Sequence, residues 1–201
     1  VLAAIIGVLL AMYLLIPLVG VHGAVVIAAL ADCTLGLALL ARGQTRERTA
    51  VSLALAVVAL AAVAAFWLGR VDPRVRVSGV YRSGVAALGQ DVAIPYLRDG
   101  RTATVSISQP ADGMAAISTN GKPDAGLSLD MADAPVKDEI TMILAGVLPN
   151  LLHPQPSEIA VIGWGSGLTT HTLLGSDKPK LVETIEIEPA MVEGARLFGP
   201  R

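Results

Sequence analysis

The sequence predicts an α-helical transmembrane region, then a small antiparallel β-domain, then the start of an α/β domain built on parallel strands. Three observations predict it. Apolar residues are concentrated before Arg70, in three long stretches almost free of charge. Asp99-Gly100 and Asn120-Gly121 punctuate alternating apolar runs between about residues 91 and 130. From Ile159 to Gly175 a buried-strand pattern, a glycine-rich turn and a helical pattern follow one another. Of the 201 residues 53% are hydrophobic and only 16% charged, which departs from soluble composition, although the part after Arg70 carries charge, Pro and Gly at globular density. A formal net charge of -2, with no basic run interleaved with aromatics, argues against a nucleic-acid partner. Cys33 stands alone in an apolar segment and the three histidines are scattered, so no disulfide framework or metal-ligand spacing is predicted.

The membrane region is expected over residues 1–70, with spans at about 1–21, 24–41 and 51–68. Each approaches the ~20 residues that a helix needs to cross a hydrocarbon core of about 30 Å. Breaks are expected at Gly20-Val21-His22-Gly23 and at "RGQTRERT". Pro17 lies near the end of the first span, where a missing N–H matters least. Asp32, an ionisable group inside the second span, is read as a hydrogen-bonding partner for a neighbouring helix or as a functional group. The arginines give two answers on orientation. Arg42, Arg46 and Arg48 mark one end of the third span as cytoplasmic, and the slightly larger cluster Arg70, Arg74, Arg76 and Arg82 marks the other. The second cluster precedes the globular part, which is therefore expected to face the cytoplasm. The chain opens on Val1 rather than Met, and its first run lacks the charged n-region and cleavage site of a signal peptide, so it is expected to be an internal piece of a longer protein.

Residues 71–90, with Pro73 and several glycines, read as a linker. Between 91 and 130, "VAIPYLRDGRTATVSISQ" turns at Asp99-Gly100 and "MAAISTNGKPDAGLS" at Asn120-Gly121; both dipeptides tolerate positive φ, a hairpin signal. This sheet is a candidate lid or homo-oligomer contact. Residues 131–201 then begin the α/β domain. A helix is expected with Asp133 as N-cap, Pro135 in its first turn, and Ile140, Ile143, Leu144, Val147 and Leu148 on one face. Pro154 and Pro156 end it, before a strand over Ile159–Ile162.

Gly163, Gly165 and Gly167 form a turn that lets backbone approach a ligand closely. About twenty residues on, Glu186 ends a second strand, Leu181–Ile187, where a carboxylate can accept both hydroxyls of a ribose. Position 168 is Leu, so the spacing is G-x-G-x-G rather than the dinucleotide G-x-G-x-x-G. That spacing suits an adenosyl amino-acid sulfonium better than a pyrophosphate.

"LPNLLHPQPSEIAVIGWGSG", followed by "VETIEIEPAMVEGARLF", resembles the spermidine synthase (polyamine aminopropyltransferase) family, in particular its membrane-fused members with N-terminal helices. The resemblance covers about residues 91–201, and "VDPRVRVSGVYRSG" and "NGKPDA" are in keeping with it. It implies a small β-domain before a Rossmann-like domain of the S-adenosylmethionine methyltransferase type, which binds decarboxylated S-adenosylmethionine. By position it implies that Gly163, Gly165, Ser166 and Gly167 line the cofactor and that Glu186 holds the ribose hydroxyls. Ser166 stands where soluble members carry an acid, Thr141 and Met142 where they carry Tyr-Gln, and Thr102 or Ala103 where they carry a glutamine. The family's catalytic aspartate is expected beyond residue 201, so no catalytic residue is named. The implied reaction transfers an aminopropyl group to a small amine, with no metal. Alternatives are a non-catalytic membrane protein that keeps the fold, and a methyltransferase using S-adenosylmethionine itself. The expected partners are the amine, the membrane lipid and a second copy of the chain.

Overall fold

The computed structural model describes residues 1–42, 48–130 and 132–199, and side chains outside 40–50. The side chains of Arg42, Arg46 and Arg48, which bear on topology, lie outside the described residues. The chain forms two units, Val1–Val71 and Asp72–Arg201.

In the first unit, helix α1 (Leu2–Leu10) passes through a π-helical turn (Ala11–Leu15) into α2 (Ile16–Arg42), and α3 spans Arg48–Leu68. The helix widens just before Pro17, whose ring crowds the preceding turn and whose missing N–H breaks the regular ladder. Two stretches are long and apolar enough to cross a membrane, Leu2–Leu39 and Val51–Leu68, and the apolar window of each contains no buried residue. The first has 38 residues. At 1.5 Å per residue that is nearly twice a bilayer core. Gly20, at φ 72° and ψ 174°, interrupts it with a non-helical backbone. Between α2 and α3, His22 Nε2 lies 3.3 Å from the Phe66 carbonyl oxygen. The Arg70 guanidinium sits over the rings of Phe66 and Trp67, 5.4 and 5.1 Å from their centroids. Asp32 and Cys33 are exposed on α2.

The second unit opens with two short helices, α4 (Pro73–Val77) and α5 (Val80–Ser83), in the segment whose composition reads as a linker. Asp72 caps α4 by accepting from the Arg74 N–H at 2.8 Å, with Pro73 in the first turn. The Arg74 side chain donates to the carbonyls of Gly89, Gln90 and Val92, and Arg76 pairs with Asp99. Two of the four arginines of the second topological cluster thus have structural partners that account for them without a membrane.

Four strands follow, β1 (Ala93–Asp99), β2 (Thr104–Gln109), β3 (Met114–Thr119) and β4 (Lys122–Ser128), in a meander of order 1-2-3-4. Register pairs Leu97 with Ser106, Ile107 with Ile117 and Ile117 with Ala125. At the β3–β4 hairpin both Asn120 (φ 49°) and Gly121 (φ 76°) are left-handed, the two-residue turn that suits strand twist. The β1–β2 connection differs from expectation. It is a four-residue loop closed by Gly100 N–H to Ala103 O at 2.9 Å, and neither Asp99 nor Gly100 is among the positive-φ residues. The turn between β2 and β3, around Asp112 and Gly113 (φ 81°), carried a legible Asp-Gly signal that the sequence reading left unused.

Helix α6 (Lys137–Leu152), β5 (Glu158–Ile162), α7 (Leu168–Leu174), β6 (Leu181–Ile185) and α8 (Pro189–Ala195) complete the unit, with β5 and β6 parallel. The start of α6 corrects the expectation that Asp133 is its N-cap. Val136 holds that position, and the buried Glu139 reaches back to accept the Val136 N–H at 2.6 Å; Asp133 instead accepts from the Ser128 hydroxyl. The buried face is also different. Glu139, Gly146 and Asn150 are buried and Ile143 and Val147 half-buried, whereas Ile140, Leu144 and Leu148 are exposed. Gly146 is where α6 meets α7, since a Cβ there would lie 3.1 Å from the Thr169 carbonyl oxygen. The core is formed by Val105, Ile107, Ala115, Ile117, Ala125 and Leu127 of the sheet against Ala190, Met191 and Ala195 of α8 and Phe198 beyond it. The fold is therefore apolar helices, a four-stranded antiparallel sheet and a small parallel α/β part.

Candidate functional site

The site is built at the carboxyl ends of β5 and β6, where open α/β sheets place ligands. Gly163, Gly165 and Gly167 adopt φ of 90°, 55° and 89°. L-side chains rarely adopt these angles, so glycine is required by backbone conformation. The first two face open space, with no heavy atom within 4 Å of an added Cβ. Gly167 is different: a Cβ there would lie 3.1–3.3 Å from the Trp164 indole. The turn is anchored by the Gly163 N–H donating to the Ile185 carbonyl at 2.8 Å, which joins it to the end of β6.

Glu186 follows β6 directly. Its Oε2 accepts the Trp164 N–H at 2.7 Å, and its Oε1 accepts the Glu188 N–H at 2.8 Å. The carboxylate is thereby fixed against the glycine turn. A carboxylate has about four acceptor sites, so both oxygens retain capacity for two neighbouring hydroxyls. The glycine turn and Glu186 are thus joined by the Gly163 N–H to Ile185 carbonyl bond and by the Trp164 N–H donated to the Glu186 carboxylate.

Ser166 has a different environment. It is buried, and its hydroxyl points at the Met142 thioether sulfur, 3.2 Å away, on α6. Thr169 of α7 donates to the Met142 carbonyl at 3.0 Å, and Thr141 bonds back to the Lys137 carbonyl of its own helix at 3.0 Å. A cavity of about 500 Å³ lies beside the turn, lined among others by Asp124, Met142, Ile162, Gly163 and Gly165.

Sequence reasoning missed Glu188. It is 3% exposed, and its two oxygens accept from Thr102 N–H (2.7 Å), Thr102 Oγ1 (2.8 Å), Ala103 N–H (3.4 Å) and Ala190 N–H (3.1 Å). Burial pushes its carboxyl up. The hydrogen bonds from Thr102, Ala190 and Ala103 more than offset that, and the group is held below the ordinary carboxylate value. The local signal was an acid immediately before Pro189, an N-cap followed by proline in the first helical turn. Its second role depends on the distant β1–β2 loop. Beside it, Tyr96 donates to the Ala190 carbonyl at 2.9 Å, and burial raises its phenol pKa, with the Arg98 charge opposing and the Glu188 charge adding. Among the described residues no group of three or more His, Cys, Asp and Glu side chains could hold a metal ion.

No protein-family model matches the chain, and no curated protein matches it. Among solved structures, the chain is similar to a spermidine synthase in complex with the transition-state analogue AdoDATO, at 20% identity over 51% of this chain and 33% of that one, with a TM-score of 0.42. It is likewise similar to the spermidine synthase of Thermotoga maritima, at 20% identity over 52% and 34% and a TM-score of 0.43. The chain spans about a third of the length of these structures.

Proposed function

We propose that the second unit binds the nucleoside end of an S-adenosyl compound, with decarboxylated S-adenosylmethionine as the ligand, and belongs to a membrane-anchored, spermidine synthase-like aminopropyltransferase. The observation that carries the reading is the Glu186 carboxylate, fixed by backbone N–H groups beside a turn of three left-handed glycines. Glu186 takes the ribose hydroxyls, and the open backbone at Gly163 and Gly165 lets the ligand approach. In such a transfer a neutral amine forms a C–N bond at the carbon beside the sulfonium, the C–S bond breaks with its electron pair passing to sulfur, and the amine proton goes to a base. The residues of this chain contribute positioning, which converts a bimolecular encounter into a reaction within one site.

A second reading is favoured by a specific observation. Thr141, Met142, Ser166 and Thr102, which stand where the resemblance expects substrate-facing groups, are all engaged in local packing or hydrogen bonds. This supports a domain that binds the nucleoside without transferring a group. Exposed apolar side chains along α1, α2 and α3 support a membrane anchor, and a site that uses cytosolic metabolites would have to face the cytoplasm.

Binding by the full chain in detergent separates these readings. An aminopropyltransferase site prefers decarboxylated S-adenosylmethionine to S-adenosylmethionine and releases methylthioadenosine when amines are added. Preference for the carboxylated form indicates a methyltransferase site, binding without turnover the non-catalytic reading, and binding of neither compound contradicts the proposal.

A further inference from the structure

Glu186 and Glu188 lie two residues apart, with a bend at Ile187 between them and extended backbone at Glu188. Between them they hold three separate parts of the second unit. Glu186 takes the Trp164 N–H of the glycine turn, and its other oxygen takes the Glu188 N–H. Glu188 gives one oxygen to the Ala190 N–H at the start of α8 and the other to Thr102 and Ala103, some 86 residues away in sequence. An N-cap needs only the first of these contacts. The second brings the β1–β2 loop so close that a Cβ at Gly100 would collide with the Glu188 carboxylate. Gly100 is therefore glycine for proximity, which agrees with its absence from the positive-φ residues.

We propose that the two carboxylates form a tie between the glycine turn and the β1–β2 loop, making Glu188 the positioning residue through which Gly100–Ala103 steadies Glu186 in the nucleoside site. This rests on the reading of Glu186 as that site. The tie works in both directions. A ligand that steadies Glu186 slows opening of the loop, and a loop released from Glu188 loosens the turn, because coupling between two sites is reciprocal.

Residue-resolved amide hydrogen exchange on the full chain in detergent tests it, with and without methylthioadenosine. Glu188→Gln keeps the shape and weakens the acceptor. Exchange is expected to quicken roughly tenfold at Thr102 and Ala103, and also to quicken at Trp164, which Glu188 does not touch. Thr102→Val removes one donor and leaves the acid. It should move the same amides by less, and it stands in if Glu188→Gln does not fold. Quickening at Thr102 and Ala103 with Trp164 unmoved in both variants overturns the tie and leaves Glu188 a local clamp. In the unaltered chain, methylthioadenosine should slow Trp164, Thr102 and Ala103 together; slowing at Trp164 alone also overturns the coupling. If methylthioadenosine slows none of them, the nucleoside reading fails, while ligand-free exchange still decides whether the tie exists.

Discussion

At the scale of single residues, the three glycines of the turn separate into two kinds. Gly165 faces open space, so Gly165→Ala meets only the cost of a left-handed backbone, about 1–2 kcal/mol. Gly167→Ala adds a contact with the Trp164 indole to the same backbone cost, so it should lower the melting temperature further. Thermal melts of both variants check the order. Glu188 gives a pH prediction. Its folded pKa is depressed, so the stabilisation it provides is fully present above the unfolded carboxylate value of about 4.3 and is lost as pH falls through the lower folded value. The stability difference between the unaltered chain and Glu188→Gln should be greatest at neutral pH and shrink below that range. Urea unfolding across the acid side checks it, and a constant difference contradicts it. Gly163, Gly165, Gly167 and Glu186 were legible because turn chemistry and spacing are local. Glu188 was not, because its partners come from a loop whose position depends on the whole unit.

At the scale of elements, strands and turns read more faithfully than helix faces. Asn120-Gly121 makes the turn its dipeptide predicts, whereas Asp99-Gly100 does not, because the second glycine answers to the carboxylate packed on it. Periodicity in α6 marked an apolar stripe, of which Ile143 and Val147 are half-buried while Ile140, Leu144 and Leu148 are exposed at 48%, 44% and 48%. A period identifies a face without saying what covers it. The inward face needs the small Gly146 to approach α7 and the long Glu139 to close its own first turn, and hydrophobicity reports neither. The hairpin offers an element-level test. Gly121 is left-handed, and a Cβ on it would lie 2.8–2.9 Å from the Gly79 backbone. Gly121→Ala should therefore cost more than Gly113→Ala, whose position is left-handed but open, by more than ~1 kcal/mol in unfolding free energy.

At the scale of the whole molecule, the two units differ in having a core. The second buries Val105, Ile107, Ile117 and Leu127 against α8 while leaving Ile140, Leu152, Ile162 and Ile187 exposed, whereas the first exposes Leu18, Leu35, Leu53, Leu60 and Leu68 on helices long enough to span a bilayer. Such exposure is stable in lipid and a liability in water. The chain is expected to stay with the membrane fraction through a high-salt or alkaline wash and to need detergent for release. Release by salt alone would mean that the helices do not span. This division was legible from composition, and the break expected at Gly20-Val21-His22-Gly23 falls where Gly20 leaves helical backbone, although by length and hydropathy Leu2–Leu39 runs across it as one apolar stretch of 38 residues.

The measurement that bears most directly on the central claim is calorimetric titration of the detergent-solubilised chain with decarboxylated S-adenosylmethionine, repeated on Glu186→Ala. Saturable one-site binding is predicted, weakened at least roughly tenfold in the variant, since hydrogen bonds to a charged group contribute about 1.5–3 kcal/mol each. Equal affinity in the two proteins, or no heat of binding in either, would contradict a nucleoside site at Glu186.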